Sequence, residues 1–232
     1  MVISGLAKLS MVDFPGLMCA TVFTRGCNLR CPFCHNAGLV LPSLYDKSTD
    51  MEENELFDFL TSRKGILDGV CITGGEPLLY DDTIGLIERI KSVGFKVKLD
   101  TNGTFPDRLK RVLEDGFVDY VAMDIKNSPI RYAETVGIRG FDLAGVCESI
   151  ELLKNSSVTY EFRTTVSREL HSSFDLLSIA KWLTGAENYF LQQYRETPGL
   201  IDEGFSAYSK EEIYSFAEEA RKYIKNVGVR GI

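Results

Sequence analysis

The regular alternation of short apolar runs with longer segments of helical periodicity most limits how this chain can fold. Six runs predict strands at Met18–Thr24, Gly69–Thr73, Lys96–Asp100, Tyr120–Ile125, Thr159–Val166 and Tyr189–Tyr194. The other segments predict helices at Glu53–Arg63, Asp82–Val93, Asp107–Glu114, Gly145–Lys154, Phe174–Leu183 and Lys210–Lys225. The last helix is followed by Val227–Ile232, a candidate for a further strand. Because strands joined by helical crossovers run parallel, the alternation predicts a parallel sheet with helices on its outer face.

The number of strand–helix units and the first glycine-rich turn favour a partial barrel over a dinucleotide-binding fold. The turn Gly74-Gly75-Glu76-Pro77 does not match GxGxxG, and its proline falls where the helix should begin. We therefore predict an α/β fold, a partial (βα)6 TIM-like barrel, in which residues 1–232 form a single domain with a short N-terminal extension. In such folds the chemistry lies at the carboxyl ends of the strands. Here those ends carry Cys27, Gly74–Glu76, Asp100–Asn102 and Asp124–Lys126.

Charge and hydropathy argue against several classes of partner. The formal net charge is −7, and the 26 Lys and Arg residues are scattered along the chain, so we expect no direct nucleic-acid ligand. No apolar stretch approaches the length of about 18 residues that a membrane helix needs. The first ten residues, Met1–Ser10, also lack the layout of a signal peptide. We therefore expect a soluble, cytoplasmic protein with no membrane partner.

The six cysteines divide into a group of three and three isolated residues. Because thiols stay reduced in the cytoplasm, we interpret the isolated ones as small buried hydrophobic side chains: Cys19, Cys71 and Cys147. The group lies within eight residues, with gaps of three and two, and consists of Cys27, Cys31 and Cys34. Thiolates are soft ligands that suit iron–sulfur clusters or zinc.

The number of thiolates bears on the choice between these two metal sites. An electron-transfer cluster normally takes four cysteines, but none follows Cys34 until Cys71, in a predicted strand. Three thiolates would leave one iron open, which a reaction requires and simple electron transfer does not. The alternative is a structural zinc site with His35 as the fourth ligand, although the adjacency of Cys34 and His35 makes a joint tetrahedral site awkward. The cysteines alone leave both interpretations open.

The spacing CxxxCxxC, with Phe33 before the last cysteine, resembles the signature of the radical S-adenosylmethionine (SAM) superfamily. The GGEP sequence at Gly74–Pro77 matches a family motif in sequence and order, and the resemblance spans at least residues 9–126. It implies a 4Fe–4S cluster on Cys27, Cys31 and Cys34, whose open iron chelates the amino and carboxylate groups of SAM. It also implies reductive cleavage of SAM to methionine and a 5′-deoxyadenosyl radical, the chemistry of the cofactors rather than of the protein.

The same resemblance implies which residues contact SAM. The methionine end would lie on Gly74 and Gly75, with Glu76 receiving its ammonium group directly or through a neighbour. Asp100 and Asn102 would contact the ribose or the carboxylate of SAM, and Phe33 and His35 would lie along the adenine. Asp124 and Lys126 would also take part in binding SAM. Lys126 would pair with the carboxylate. A monovalent cation would be bordered by Asp100, Thr101 and Asp124.

Simpler interpretations of these residues stay open at this point. Residues 100–103 also suit a turn after a strand, and Asp124 with Lys126 also suits a structural ion pair. Arg163 either points toward SAM or pairs with Glu161. We predict that His171, in a polar turn, is solvated.

Three segments narrow the resemblance within the superfamily. Leu9–Gly16, Phe23–Cys27 and Cys34–Asn36 are similar to activating proteins of anaerobic ribonucleoside-triphosphate reductase, and less closely to pyruvate formate-lyase activating enzymes. Such enzymes abstract a hydrogen atom from a glycine Cα of a partner. The implied partners are a glycyl radical enzyme, foremost anaerobic ribonucleotide reductase, and a flavodoxin or ferredoxin electron donor.

Two observations keep alternatives to this assignment open. The formate-lyase activators have a histidine where Arg195 stands, which leaves the role of Arg195 undetermined. The minimal length also suits a radical SAM enzyme for a small molecule, such as a deazaguanine-forming synthase. A metal-binding module without radical chemistry is the third alternative.

Overall fold

The structure, a computed structural model, describes residues 1–196 and 199–232. Its residues group into two compact units, which we describe separately. The first unit consists of Met1–Asn28, Asn36–Thr101 and Phe105–Val121. The second unit consists of Leu29–His35, Asn102–Thr104 and Ala122–Ile232.

The first unit contains four strands whose order in the sheet follows the chain. Its strands are β1 (Ile3–Ser10), β2 (Cys19–Thr24), β3 (Gly69–Gly74) and β4 (Lys96–Thr101). Its helices are α1 (Ala37–Val40), α2 (Glu53–Ser62), α3 (Asp82–Val93) and α4 (Pro106–Glu114). Strand β1 pairs antiparallel to β2, whereas β2, β3 and β4 are parallel neighbours. Thr24 lies opposite Gly74 in the ladder, so the loops that leave β2 and β3 start from the same edge.

The second unit continues the alternation of strands and helices. A fifth strand, β5 (Tyr120–Asp124), begins at the end of the first unit and ends in the second. The other strands are β6 (Thr159–Val166), β7 (Asn188–Gln193) and β8 (Asn226–Arg230), which are parallel neighbours. The helices are α5 (Tyr132–Thr135), α6 (Ala144–Lys154), α7 (Ser173–Trp182) and α8 (Lys210–Ala220). Ser172 and Ser209 start α7 and α8 with capping boxes, in which side chains satisfy backbone N–H groups of the first turn.

The predicted α/β class with a mostly parallel sheet is confirmed, and all six predicted strands lie within one residue of their predicted bounds. The six predicted helices are also present, but α8 ends at Ala220 rather than Lys225. The candidate Val227–Ile232 strand is β8. Strand β1 was not predicted, because its sequence ISGLAKLS has one β-branched residue and four small residues. That residues 1–232 form a single domain stays a prediction.

Within the described residues, no helix has the length and apolar character needed to cross a membrane.

The core of the first unit explains the isolated cysteines and part of the segment before β2. Phe14, 3% exposed, packs against Cys19 and Cys71, and its ring lies 6.0 Å from that of Tyr120. Cys19 and Cys71 are fully buried, as predicted, whereas Cys147 is only half-buried. Phe14 therefore anchors a loop in which the apolar residues Met11 and Val12 remain exposed.

Substituting Phe14 tests this anchoring. Phe14→Ala should lower the free energy of unfolding by about 3–5 kcal/mol, because it leaves a cavity in a packed core. Val12→Ala, two residues earlier in the same loop but 86% exposed, should change it by less than about 0.5 kcal/mol. Urea denaturation followed by circular dichroism measures both values. Equal effects of the two substitutions would show that Phe14 contributes no core packing.

Candidate cluster and cofactor site

The loops that follow β2 and β3 are held together by their backbones. Gly75 N donates to Thr24 O at 2.8 Å, and Glu76 N donates to Gly26 O at 2.7 Å. A Cβ atom on Gly75 would overlap the carbonyl group of Gly26, and Gly74 has a φ of 115°, which favours glycine. The glycines of the GGEP motif therefore have a local reason to be glycines. They let the loop that carries Cys27 approach the end of β3.

Glu76 connects this contact to the end of β4. Its side chain is 1% exposed, and Oε1 accepts hydrogen bonds from Leu78 N at 2.9 Å and from Thr101 Oγ1 at 2.8 Å. The first bond caps the short 3₁₀ helix Pro77–Leu79. Asn36 Nδ2 also donates to Gly74 O at 3.1 Å. The carboxylate thus fixes the GGEP loop against the edge at which β4 ends.

Asp100, the second-last residue of β4, lies beside a buried cation. Lys98, 2% exposed, forms an ion pair with Asp100, and its Nζ lies 3.7 Å from Cys71 Sγ. Cys71 is therefore buried, as its sequence context indicates, and its sulfur also accepts a hydrogen bond from Lys98. The negative charge of Asp100 is balanced within the first unit.

In the second unit, Asn102 forms a turn, which is the simpler of the two interpretations of residues 100–103. Its Oδ1 accepts from Thr104 N at 3.0 Å and from Thr104 Oγ1 at 2.6 Å, which closes a local turn. The next residue, Gly103, has a φ of 75°, and a Cβ atom there would overlap Met123. A turn explains residues 102–104 without a ligand.

The rest of the cysteine loop, Leu29–His35, is held at the backbone by two other segments of the second unit. Arg30 N donates to Val136 O at 2.9 Å, just after α5, and Asp202 N donates to Pro32 O at 2.8 Å. Cys31 is buried and Cys34 half-buried, and all six cysteines are thiols rather than disulfides. Two of the three predicted cluster ligands therefore lie on a loop whose path is fixed by hydrogen bonds of other segments.

Aromatic contacts fix Phe33 and His35 on this loop. The Phe33 ring meets the rings of His171 and Phe205 edge to face, each at 6.5 Å between centroids. The His35 ring stacks on Tyr194 at 5.9 Å, and its Nε2 lies 2.8 Å from Arg195 O. Because a carbonyl only accepts, His35 Nε2 carries the proton. Arg195 thus contributes its backbone to the position of His35.

These positions bear on the choice between zinc and a cluster. In the part of the chain that the structure describes, no three His, Cys, Asp or Glu side chains are placed to hold one metal ion. The His35 ring is also engaged with Tyr194 and Arg195, so the zinc alternative gains no support. A 4Fe–4S cluster could be held by Cys27, Cys31 and Cys34 without the convergence on one atom that a zinc ion requires. Three soft thiols on one short loop fit that group.

Asp124 lies between two cations at the end of β5. It accepts from Arg163 Nε and from Lys126 Nζ, each at 2.9 Å. Burial would raise the pKa of Asp124, but Arg163 and Lys126 outweigh it and hold that pKa at about 2. Burial opposes the charge of Lys126, yet Asp124 and then the Cys31 thiol raise the pKa of Lys126 above its usual range. All three groups are charged at neutral pH, with a net charge of +1 (two cations, one anion).

Asp124 is a partner of Arg163 that the sequence did not indicate. Arg163 pairs with Asp124, while Glu161, fully buried, accepts two hydrogen bonds from Arg230 at 2.6 and 2.7 Å. The spacing of two residues in Asp124–Lys126 predicted their ion pair correctly. Arg163 lies 39 residues after Asp124, and no pattern in the sequence indicated that the two side chains pair.

The prediction that His171 is solvated is wrong. The residue is fully buried, its Nδ1 accepts from Ser167 N at 3.3 Å, and its Nε2 lies 2.8 Å from Lys126 O. Its ring also meets that of Phe33. His171 therefore connects the chain after β5 with the cysteine loop, and it does so as the neutral ring, because burial lowers its pKa. The polar residues around it gave no sign of this.

The sequence and structure match known proteins as follows. The model of the Radical SAM superfamily matches residues 21–168. A protein of Methanocaldococcus jannaschii, provisionally named a glycyl-radical enzyme activating enzyme, is 34% identical over 99% of this chain and 96% of its own length. The pyruvate formate-lyase-activating enzyme of Listeria monocytogenes is 32% identical over 53% of this chain and 52% of its own length. Shorter stretches resemble a GTP 3′,8-cyclase of Methanothermobacter marburgensis (53% of this chain) and a 7-carboxy-7-deazaguanine synthase of Halobacterium salinarum (36%).

Among solved structures, SuiB of Streptococcus suis bound to S-adenosylmethionine aligns with a TM-score of 0.69. The alignment covers 91% of this chain and 52% of SuiB, at 14% sequence identity, so the likeness concerns the fold alone. The fold class predicted from the sequence, a partial (βα)6 TIM-like barrel, agrees with it.

The glycine contact makes a sharp mutational prediction. Gly75→Ala should destabilise the protein by about 3 kcal/mol or more, because the new Cβ overlaps backbone atoms that cannot move independently. Gly85→Ala is the matched control, since Gly85 lies inside α3 with open space around it. It should stabilise the protein by about 0.5–1 kcal/mol through helix propensity. Thermal unfolding measures both, and a Gly75→Ala variant as stable as the wild type would contradict the contact.

The burial of His171 predicts a pH dependence of stability. Because its pKa is lowered in the folded state, its neutral form contributes fully above pH 6.5, its usual pKa. Below that pH the unfolded chain binds a proton first, so stability is lost at up to about 1.4 kcal/mol per pH unit. His171→Gln keeps a donor for Lys126 O and removes the titrating ring, so its unfolding free energy should fall less steeply. Urea denaturation between about pH 7.5 and pH 5 compares the slopes. Identical slopes would contradict the assignment.

Proposed function

We propose that this chain, which belongs to the radical SAM superfamily, activates a partner enzyme by installing a glycyl radical in it. The observation that carries the proposal is the M. jannaschii relative, whose provisional name states this activity and which matches this chain over 96% of its own length. The shorter match to a formate-lyase activating enzyme supports the same class.

The superfamily implies a 4Fe–4S cluster and SAM, and the residues of this chain suit both. Cys27, Cys31 and Cys34 would hold the cluster. When bound, the reduced cluster supplies the electron that splits SAM into methionine and a 5′-deoxyadenosyl radical. The protein contributes binding, orientation and exclusion of water.

The carboxylate of SAM is the part of the ligand whose recognition follows most directly from charge. Lys126, Arg163 and Asp124 together carry a charge of +1, and Lys126 lies near Cys31. A carboxylate approaching Lys126 would be attracted without displacing Asp124. Phe33 and His35 would flank the adenine, and Gly74, Gly75, Glu76, Asp100 and Asn102 complete the proposed set of contacts.

Finer parts of the proposal concern partners and location. The partner would be anaerobic ribonucleotide reductase, on the strength of the Leu9–Gly16 and Phe23–Cys27 segments. A flavodoxin or ferredoxin would donate the electron, in the cytoplasm. A monovalent cation beside SAM would be bordered by Asp100, Thr101 and Asp124. SAM cleavage at the same rate with and without sodium and potassium would remove the cation from the proposal.

A second candidate function is radical chemistry on a small molecule. The partial matches to a GTP 3′,8-cyclase and a 7-carboxy-7-deazaguanine synthase favour it, although they cover only 53% and 36% of this chain. Such an enzyme would need no protein partner. The two candidates therefore differ in what accepts the radical.

The decisive experiment is anaerobic. The cluster is reconstituted and reduced with dithionite, SAM is added, and 5′-deoxyadenosine is measured with and without anaerobic ribonucleoside-triphosphate reductase. We expect deoxyadenosine together with a doublet radical signal on the reductase. Deoxyadenosine without a protein radical would favour the small-molecule alternative, and its absence from a loaded cluster would reject both.

Substitution of the ligands tests the cluster assignment. Replacing Cys27, Cys31 or Cys34 by Ala should lower deoxyadenosine formation by more than the roughly 10–100-fold typical of losing an outer-shell partner, because each thiolate is a direct ligand. Cys147→Ala, on α6, is the control and should keep wild-type iron content and rate. Full activity in any of the three ligand variants would overturn the assignment of that ligand.

A further inference from the structure

Near the carboxyl ends of β6 and β7, the side chains on one face of the sheet are less buried than most of those on the other. Thr164 on β6 and Leu191 on β7 are fully buried, but both strand neighbours of each are only half-buried. Because successive side chains of a strand point to opposite faces, the more exposed ones share one face. We call this the half-buried face; it consists of Arg163, Thr165, Phe190, Gln192 and Arg230.

Each charged member of the half-buried face has a carboxylate partner. Arg230 bonds Glu161 with both of its terminal nitrogens and lies over the Phe190 ring, with Cζ 3.6 Å from the centroid. The absence of a Cβ on Gly228 leaves room for that ring. Arg163 pairs with Asp124. An anionic ligand on this face would therefore compete with carboxylates that are in place.

The carboxyl ends of β6 and β7 carry two neutral polar side chains on the same face. Thr165 lies directly opposite Gln192 in the parallel ladder. Both are half-buried, and in residues 1–196 and 199–232 no hydrogen bond to either side chain is formed. The next residue, Gln193, faces the other way and donates to Tyr208 O. Two polar groups at the end where α/β enzymes bind their substrates are thus available to a ligand.

The chemistry of these groups indicates what that ligand is. A glutamine amide offers one acceptor and an N–H donor side by side, which matches the N–H and C=O of a peptide group, and a threonine hydroxyl both donates and accepts. Neither carries a charge that would recognise a phosphate or a carboxylate. We propose that Gln192 and Thr165 form a subsite for the main chain of the glycine-bearing loop of the partner enzyme. This inference rests on the proposed function and names how the polypeptide substrate is recognised.

The subsite positions the peptide backbone, so its loss separates recognition of the partner from cleavage of SAM. Gln192→Leu should raise the KM for the partner enzyme about tenfold, the effect of hydrogen bonds worth about 1.4 kcal/mol. Thr165→Val, which keeps shape and removes the hydroxyl, should raise it by about three- to tenfold. Deoxyadenosine formation without the partner should stay within about twofold of wild type, because neither residue is expected to touch the cluster or SAM.

Gln193→Leu is the matched control, since it removes the same amide from the opposite face of the same strand. The experiment measures glycyl radical on anaerobic ribonucleoside-triphosphate reductase by electron paramagnetic resonance, at several reductase concentrations, for the wild type and the three variants.

A raised KM in Gln192→Leu and Thr165→Val, with normal SAM cleavage and a normal Gln193→Leu, supports the subsite. A wild-type KM in Gln192→Leu overturns the proposed subsite and leaves the proposed function standing. Equal losses in Gln193→Leu and Gln192→Leu also overturn it, because they indicate a general effect on β7. A wild type that cleaves SAM but gives no protein radical rejects the proposed function, and the subsite with it.

Discussion

The close approach of two backbones at Gly26 and Gly75 is the constraint on which the first unit's candidate chemistry depends. Strands β2 and β3 are parallel and in register, so the loops that leave them begin side by side. Two hydrogen bonds then join the loops at distances that a side chain on Gly75 would not allow. Glu76, the next residue, extends this arrangement to Thr101 at the end of β4. A short motif thereby fixes the ends of three strands, and Cys27 follows Gly26 directly.

In the second unit the corresponding constraint is electrostatic. Asp124 is a buried anion held between Arg163 and Lys126, and burying any one of these charges alone would be costly. The charged Lys126 lies near Cys31, and a neighbouring cation is the environment that a thiolate or a carboxylate prefers. His171 also fixes the position of Lys126, because its ring hydrogen-bonds to the Lys126 carbonyl group and packs against Phe33. The position of Lys126 is thus set from its backbone as well as from its side chain.

Local patterns predicted the elements of the fold well, and failed where a residue depends on distant partners. The continuous apolar runs of β2 to β7 identify buried parallel strands, and β1 was missed because its residues follow neither pattern closely. The cysteine spacing and the GGEP sequence marked loops whose backbones are indeed tightly held. By contrast, Arg163 and Asp124 are 39 residues apart, and His171 and Lys126 are 45 apart. No periodicity or spacing in the sequence indicates pairs of residues this far apart. The sequence therefore indicated the ion pair of Asp124 with Lys126, but not the contacts that Arg163 and His171 make.

Charge also bears on which substrate class suits this chain. A nucleoside triphosphate, the substrate named in the cyclase relative, is strongly anionic and needs cationic side chains that are available to its phosphates. On the half-buried face the two arginines are each bound to a carboxylate, Arg230 to Glu161 and Arg163 to Asp124. What the ends of β6 and β7 present instead are the uncharged Thr165 and Gln192. A polypeptide main chain is neutral and offers both donors and acceptors, so it would meet these groups without the desolvation of an uncompensated charge. The physical chemistry of this face therefore favours a protein substrate over a phosphorylated small molecule.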